Sequence, residues 1–172
     1  MEAAPVNYCC SLTSLKSPVN LVVVVLAGAL LTGCGMDQAR EKARRMNCVG
    51  NLKQIGLGLT MYAGDDVKHG MFPDSLGQLH EQKYLVNGMV YGCPSADSPS
   101  RSAADSDYVY VGAGLKDTNR DPKTTVLAYC DPANHDDQWT NILFLDGDVT
   151  GQGAQSIEQA AEQNGWTIGT GQ

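Results

Sequence analysis

The first apolar feature of the chain is continuous. Leu21 to Leu31 reads LVVVVLAGALL with no polar residue. At about 11 residues it falls short of the roughly 20 that span a bilayer and sits within the roughly 7–15 of a signal-peptide core. The second feature is periodic. Ala39, Ala43, Met46, Val49, Leu52, Ile55, Leu59 and Tyr62 recur every three or four residues, which predicts an amphipathic helix over 37–62. Asp37 stands where an N-cap is expected, and its charge suits the positive end of a helix. Gly64-Asp65-Asp66 closes the pattern. Gly50, Gly56 and Gly58 each lower helix propensity by roughly 1 kcal/mol relative to Ala, so the helix depends on packing. The same glycines offer room for another backbone to approach.

Beyond residue 64 the patterns shorten. Residues 65–73 are turn-rich, and Ser75–Tyr84 predicts a short helix carrying Leu76, Leu79 and Tyr84. Met89-Val90-Tyr91 predicts a strand stopped at Cys93-Pro94, and 94–106 an exposed loop rich in Ser, Asp, Ala and Pro. Tyr108–Gly112 alternates aromatic and β-branched residues, a strand signal that puts Tyr108 and Tyr110 on one face. Thr125–Tyr129 predicts the next strand, and 131–140 an acidic loop. Ile142–Leu145, Asp146-Gly147 and Val149 together make a hairpin signal. Gln155–Asn164 reads as a polar terminal helix, with a loose tail after it. One long helix followed by a few short antiparallel strands is an α+β fold, the helix packed on a small sheet. The expected organisation is a leader or anchor over 1–33, the N-terminal helix over 34–64 and a globular α+β region over 65–172.

Charge sharpens this picture. The chain carries a formal charge of −7. Arg40, Lys42, Arg44, Arg45 and Lys53 outnumber Asp37 and Glu41 along the helix, so the remainder is more acidic still. A basic collar beside a membrane anchor suits anionic headgroups. An acidic body excludes nucleic acid as a partner, because phosphate neutralisation needs clustered Lys and Arg. After the apolar run comes Leu31-Thr32-Gly33-Cys34, which resembles the lipobox of bacterial lipoproteins. That resemblance implies lipidation of Cys34, cleavage before it, and a lipid-anchored, periplasm-facing protein. Gly35 in place of Asp means that the usual inner-membrane retention signal is absent.

Further motifs in chain order resemble a known family. They are Ala39-Arg-Glu-Lys-Ala-Arg-Arg45, Cys48, Asn51-Leu-Lys-Gln-Ile-Gly56, Met71-Phe-Pro-Asp-Ser75, Gly92-Cys93-Pro94-Ser95, and His135 followed by Asn141-Ile-Leu-Phe-Leu-Asp-Gly147. Together they resemble the pseudopilin G-like, prepilin-type proteins of planctomycete-type bacteria. The resemblance implies a pilin-like fold and work at type II secretion or type IV pilus-like machinery. The family's Gly-Phe-Thr-x-x-Glu peptidase site is missing, which argues against polymerisation as a filament subunit. The alternative is a solitary periplasmic lipoprotein that binds a ligand or partner.

Several residues invite chemistry. Asp131, Asp136, Asp137, Asp146 and Asp148 form an acidic group of the kind calcium requires, and major pseudopilins bind calcium in a C-terminal loop. If Cys34 is lipidated, Cys48, Cys93 and Cys130 remain, enough for one disulfide with one thiol left over. Cys48–Cys93 joins two positions that match the family and ties helix to sheet. Cys93–Cys130 is the alternative, and no disulfide is the third option. No Cys-x-x-Cys or Cys/His run with zinc spacing occurs, which argues against structural zinc. His135 is expected to anchor its loop by hydrogen bonding. No Ser/His/Asp constellation or phosphate loop supports an enzyme.

Overall fold

The computed structural model describes residues 18–65, 67–118, 121–153 and 156–169, with side chains from Met36 onward. The chain divides into two compact units, Met1–Arg40 and Glu41–Gln172. The division falls inside the helix rather than at residue 64, so the helical segment from Glu41 onward belongs with the sheet. The leader and Cys34 lie outside the residues whose side chains are described. No helix of the described residues is long and apolar enough to cross a membrane.

Helix α1 runs Pro18–Ala63. Asp37 therefore lies within a helix instead of capping one, and it pairs at the surface with Arg40, 3.6 Å away. The second half of the predicted stripe is correct: Leu52, Ile55, Leu59 and Tyr62 are buried. The first half is displaced. Ala39, Ala43 and Met46 face solvent, and the inward positions are Glu41, Arg45 and Cys48. Polar residues hold the inward face in those two turns, so hydrophobicity alone traces the wrong stripe there. Side chains, not a backbone, pack at the helix glycines: a Cβ on Gly56 would lie 2.9 Å from Leu143 Cδ1, and one on Gly58 3.3 Å from Leu85 Cβ.

Helix α2 spans Leu76–Glu81 and buries Leu76 and Leu79. The apolar trio at 89–91 forms a 3-10 turn over Gly88–Tyr91, not a strand. Asn87 caps it by accepting the Met89 amide, and Gly88 sits so close to the Arg101 carbonyl that any Cβ would collide with it. Strands β1 (Tyr108–Tyr110), β2 (Thr125–Cys130), β3 (Trp139–Phe144) and β4 (Val149–Gly153) form an antiparallel sheet in sequential order. The β3–β4 hairpin turns at Asp146-Gly147, with Gly147 at φ +83°. Helix α3 (Ile157–Asn164) starts at Ser156, whose hydroxyl accepts the Gln159 amide, and ends at Gly165 in the left-handed region. The tail is not loose throughout: Thr167–Ile168 forms β5, parallel to the start of β2 and beyond the end of β1.

Each sheet face has its own core. On the helix side Leu127, Ala128, Cys130, Leu143 and Leu145 meet Cys48, Leu52, Ile55 and Leu59. On the other, Val126, Ile142, Phe144 and Ile157 pack together, with Trp166 edge-on to Phe144 at 5.1 Å. Residues of a regular strand alternate between faces. The β2–β3 register slips between Val126 and Ala128, however, so Leu127 and Ala128 both face the helix. After this bulge Tyr129 points to the far side and Cys130 returns to the helix side. Without it, Cys130 would share the face of Val126.

Candidate metal centre

Four chemically related side chains meet where α1 crosses the sheet. Cys48 lies two helical turns after Glu41, Cys93 follows the 3-10 turn, Cys130 ends β2, and His135 ends a second 3-10 turn over Pro132–His135. All four are buried, and one ligand atom from each lies within 4.8 Å of every other. Cys93 Sγ is 3.3 Å from Cys130 Sγ and 3.5 Å from His135 Nε2. All three cysteines are free thiols. Neither anticipated disulfide, Cys48–Cys93 or Cys93–Cys130, is formed. Of the three options left open by the sequence, the structure has the one without a disulfide, and the three sulfurs cluster with a histidine.

The surroundings fix each member. Pro132 and the Asp131 side chain, which accepts the Ala133 amide at 3.0 Å, start the turn that brings His135 back under Cys130. The Cys130 carbonyl accepts from the buried Thr140 hydroxyl. The Cys93 amide donates to Asp107 Oδ2 at 2.8 Å, and the Tyr108 hydroxyl donates to the neighbouring Gly92 carbonyl at 3.3 Å. Asn141 is buried against the helix and donates to the Arg45 carbonyl at 3.2 Å.

His135 is oriented from its far side. Its Nδ1 lies 2.8 Å from Glu41 Oε1, an acceptor-only carboxylate, so Nδ1 carries the proton and donates. The other ring nitrogen, Nε2, faces the sulfurs. Glu41 also accepts from Arg45 Nε at 3.1 Å and from the Ser95 hydroxyl at 2.9 Å. The anticipated loop-anchoring role of His135 is thus met by a helix carboxylate. Burial works against a charged His135, but its hydrogen bonds with Cys93 and Glu41 outweigh that and hold its pKa above the ordinary value. Burial likewise opposes the charge on Glu41, yet the hydrogen bonds from His135, Ser95 and Arg45 leave its pKa lowered. Hydrogen bonds from Cys130 and then Cys93 bring the Cys48 thiol down to about 4, and the reciprocal bond from Cys48 pushes Cys130 up.

The acidic group singled out from the sequence does not assemble. Asp131 caps its turn, Asp136 and Asp137 occupy left-handed backbone positions near φ +54°, and Asp146 accepts the Asp148 amide within the hairpin turn. All five aspartates are exposed, and among the described residues they form no shared ligand set. Tyr108 and Tyr110 serve packing, their hydroxyls donating to the Gly92 and Pro73 carbonyls. The sequence did hold one sign of the centre: Cys130 and His135 lie five residues apart around Pro132, a local ligand-pair spacing. Glu41 gave no sign of its own, being one charge among many on a charged helix.

Residues 37–81 match the family model SBP_bac_10, described as a protein of unknown function, DUF1559. In coarse terms this is a family of bacterial, pilin-like envelope proteins. The match covers α1 from Asp37 onward and α2, a minority of the chain, and carries no pseudopilin G assignment. No curated protein and no solved structure matches the chain.

Proposed function

We propose that this is a non-enzymatic, membrane-anchored envelope protein whose pilin-like domain serves as an accessory component of type II secretion or type IV pilus-like assembly. The observation that carries the reading is a long helix packed on a small antiparallel sheet, in a chain whose helical segment matches a pilin-like envelope family. The outward face of the helix supports a partner. Met46, Leu57 and Met61 lie in one stripe at helical spacing and are 63%, 63% and 53% exposed. Leu57→Asp should abolish co-purification with secretion-machine subunits while leaving the thermal unfolding of the domain unchanged. A wild-type chain that does not co-purify with those subunits overturns the assembly role, and co-purification that survives Leu57→Asp overturns this face as the contact.

The second reading, a solitary lipoprotein that binds a ligand, rests on a groove of about 460 Å³ lined by Asn51, Gln54, Met89, Pro94, Pro99 and Arg101. Retention of a small molecule by wild type, lost in Met89→Asp, favours it. Both readings place the protein at the membrane, facing the periplasm. A fatty-acid label on the full chain that disappears in Cys34→Ser identifies the anchor as lipid; a label-free chain retained in membranes identifies it as the N-terminal helix.

A further inference from the structure

We propose that Cys48, Cys93, Cys130 and His135 bind a structural zinc ion, with Glu41 orienting His135 through Nδ1. A tetrahedral zinc ion has Zn–S near 2.3 Å and Zn–N near 2.0–2.1 Å, which places ligand sulfurs roughly 3.8 Å apart and sulfur and nitrogen roughly 3.5 Å apart. The cluster has Cys93 Sγ 3.5 Å from His135 Nε2 and 3.3 Å from Cys130 Sγ, and no pair exceeds 4.8 Å. Shifts of a few tenths of an ångström to about an ångström convert this set into a ligand shell.

The chemistry of the donors selects the metal. Three thiolates and one imidazole suit zinc, whereas calcium and magnesium take oxygen ligands. All four positions are filled by protein and all are buried, so no site remains open for water or substrate. A closed shell of this kind is structural, not catalytic. The arrangement accounts for each group better than a disulfide does. A disulfide leaves one of three buried thiols unpaired and gives the His135 lone pair no partner beyond a thiol. Zinc employs all four atoms, and on binding the thiol protons pass to solvent.

The outer groups complete the argument. Zinc-bound histidines characteristically donate their other nitrogen to a carboxylate or carbonyl, which fixes the tautomer. The Nδ1–Glu41 bond of 2.8 Å is that arrangement, and Arg45 and Ser95 hold the carboxylate in turn. The Arg45 guanidinium, 3.1 Å from Glu41, offsets the charge of that carboxylate.

The test uses the full chain in detergent, purified reduced, stripped with chelator and titrated with ZnCl₂. Expected is stoichiometric zinc by plasma mass spectrometry, and with Co²⁺ the intense sulfur-to-cobalt absorption of a tetrahedral thiolate site. Cys93→Ser should abolish the cobalt spectrum. Because that variant also disturbs a buried cluster, Glu41→Gln supplies a second readout: it keeps all four ligands and should weaken zinc about 10–100-fold in competition with a chromophoric chelator. A folded, reduced chain that takes up no zinc overturns the proposal, as does a native chain isolated metal-free with Cys93 and Cys130 joined. Unchanged affinity in Glu41→Gln overturns the orienting role.

Discussion

Asp65 accepts a hydrogen bond from the Tyr84 hydroxyl at 2.6 Å and another from the Val67 amide at 3.2 Å. The Tyr84 bond comes first in holding Asp65 below the ordinary carboxylate range, and the same bond raises Tyr84. A depressed carboxylate contributes stability above its unfolded pKa of about 3.9, and the contribution is lost as pH falls through the folded value. A raised phenol contributes below about 10, and its share is lost as pH rises through the folded value. Tyr84→Phe should therefore lower urea stability at neutral pH and flatten its decline in acid. Asn141 carries more weight because it is buried. It accepts from Trp139 Nε1 at 3.0 Å and donates to the Arg45 carbonyl, so Asn141→Ala takes the acceptor from Trp139 and the second bond from a helical carbonyl. A loss of about 1–3 kcal/mol is expected from denaturant unfolding. At this scale the sequence was least legible. The five aspartates looked like a site because they are close in sequence. The four centre residues did not, because Cys48 and Cys93 lie far in sequence from each other and from Cys130 and His135, which alone are close.

At the scale of elements the sequence spoke more clearly. Apolar patterning located α1 from Leu52 onward, α2, β1 to β3 and α3, and the Asp146-Gly147 turn signal located β4, which buries no residue. It missed β5, whose two residues pair through backbone alone, and it read the turn at 88–91 as a strand because three apolar residues do not distinguish the two. The helix glycines divide by environment. A Cβ on Gly50 meets nothing within 4 Å, so Gly50→Ala should stabilise the chain by about 0.5–1 kcal/mol. Gly56→Ala should show no such gain, because it must displace the fully buried Leu143. In the β3–β4 turn, Gly147→Ala places a Cβ at φ +83° and should cost about 1–2 kcal/mol. Parallel denaturant curves on the three variants check these signs.

For the molecule as a whole, the proposed zinc ion joins helix and sheet within the Glu41–Gln172 unit, beside the apolar core and the hydrogen bonds from His135, Ser95 and Asn141 to the helix. Zinc at 100 times its dissociation constant should stabilise the native state by about 2.7 kcal/mol, and a chelator should lower the melting temperature correspondingly. The charge balance of the chain bears on this. An acidic protein of formal charge −7 carries five of its twelve Lys and Arg side chains along one helix, where Arg45 sits over the Trp139 ring at 4.9 Å and beside Glu41. Trp139 fluorescence thus reports on the neighbourhood of the centre, whereas Trp166 reports on the opposite core.

The bulge in β2 has a consequence for how this chain can vary. Between Val126 and Cys130 a single residue decides on which side of the sheet a sulfur emerges. An insertion or deletion there turns Cys130 away from Cys48 even if every amino acid type is kept. The loop at 94–106 carries no such parity, and its exposed stretch from Asp97 to Pro99 can lengthen or shorten without moving a ligand. Related chains should therefore differ freely in length before β1 and hardly at all within β2. In this strand the number of residues is under stronger constraint than their identity.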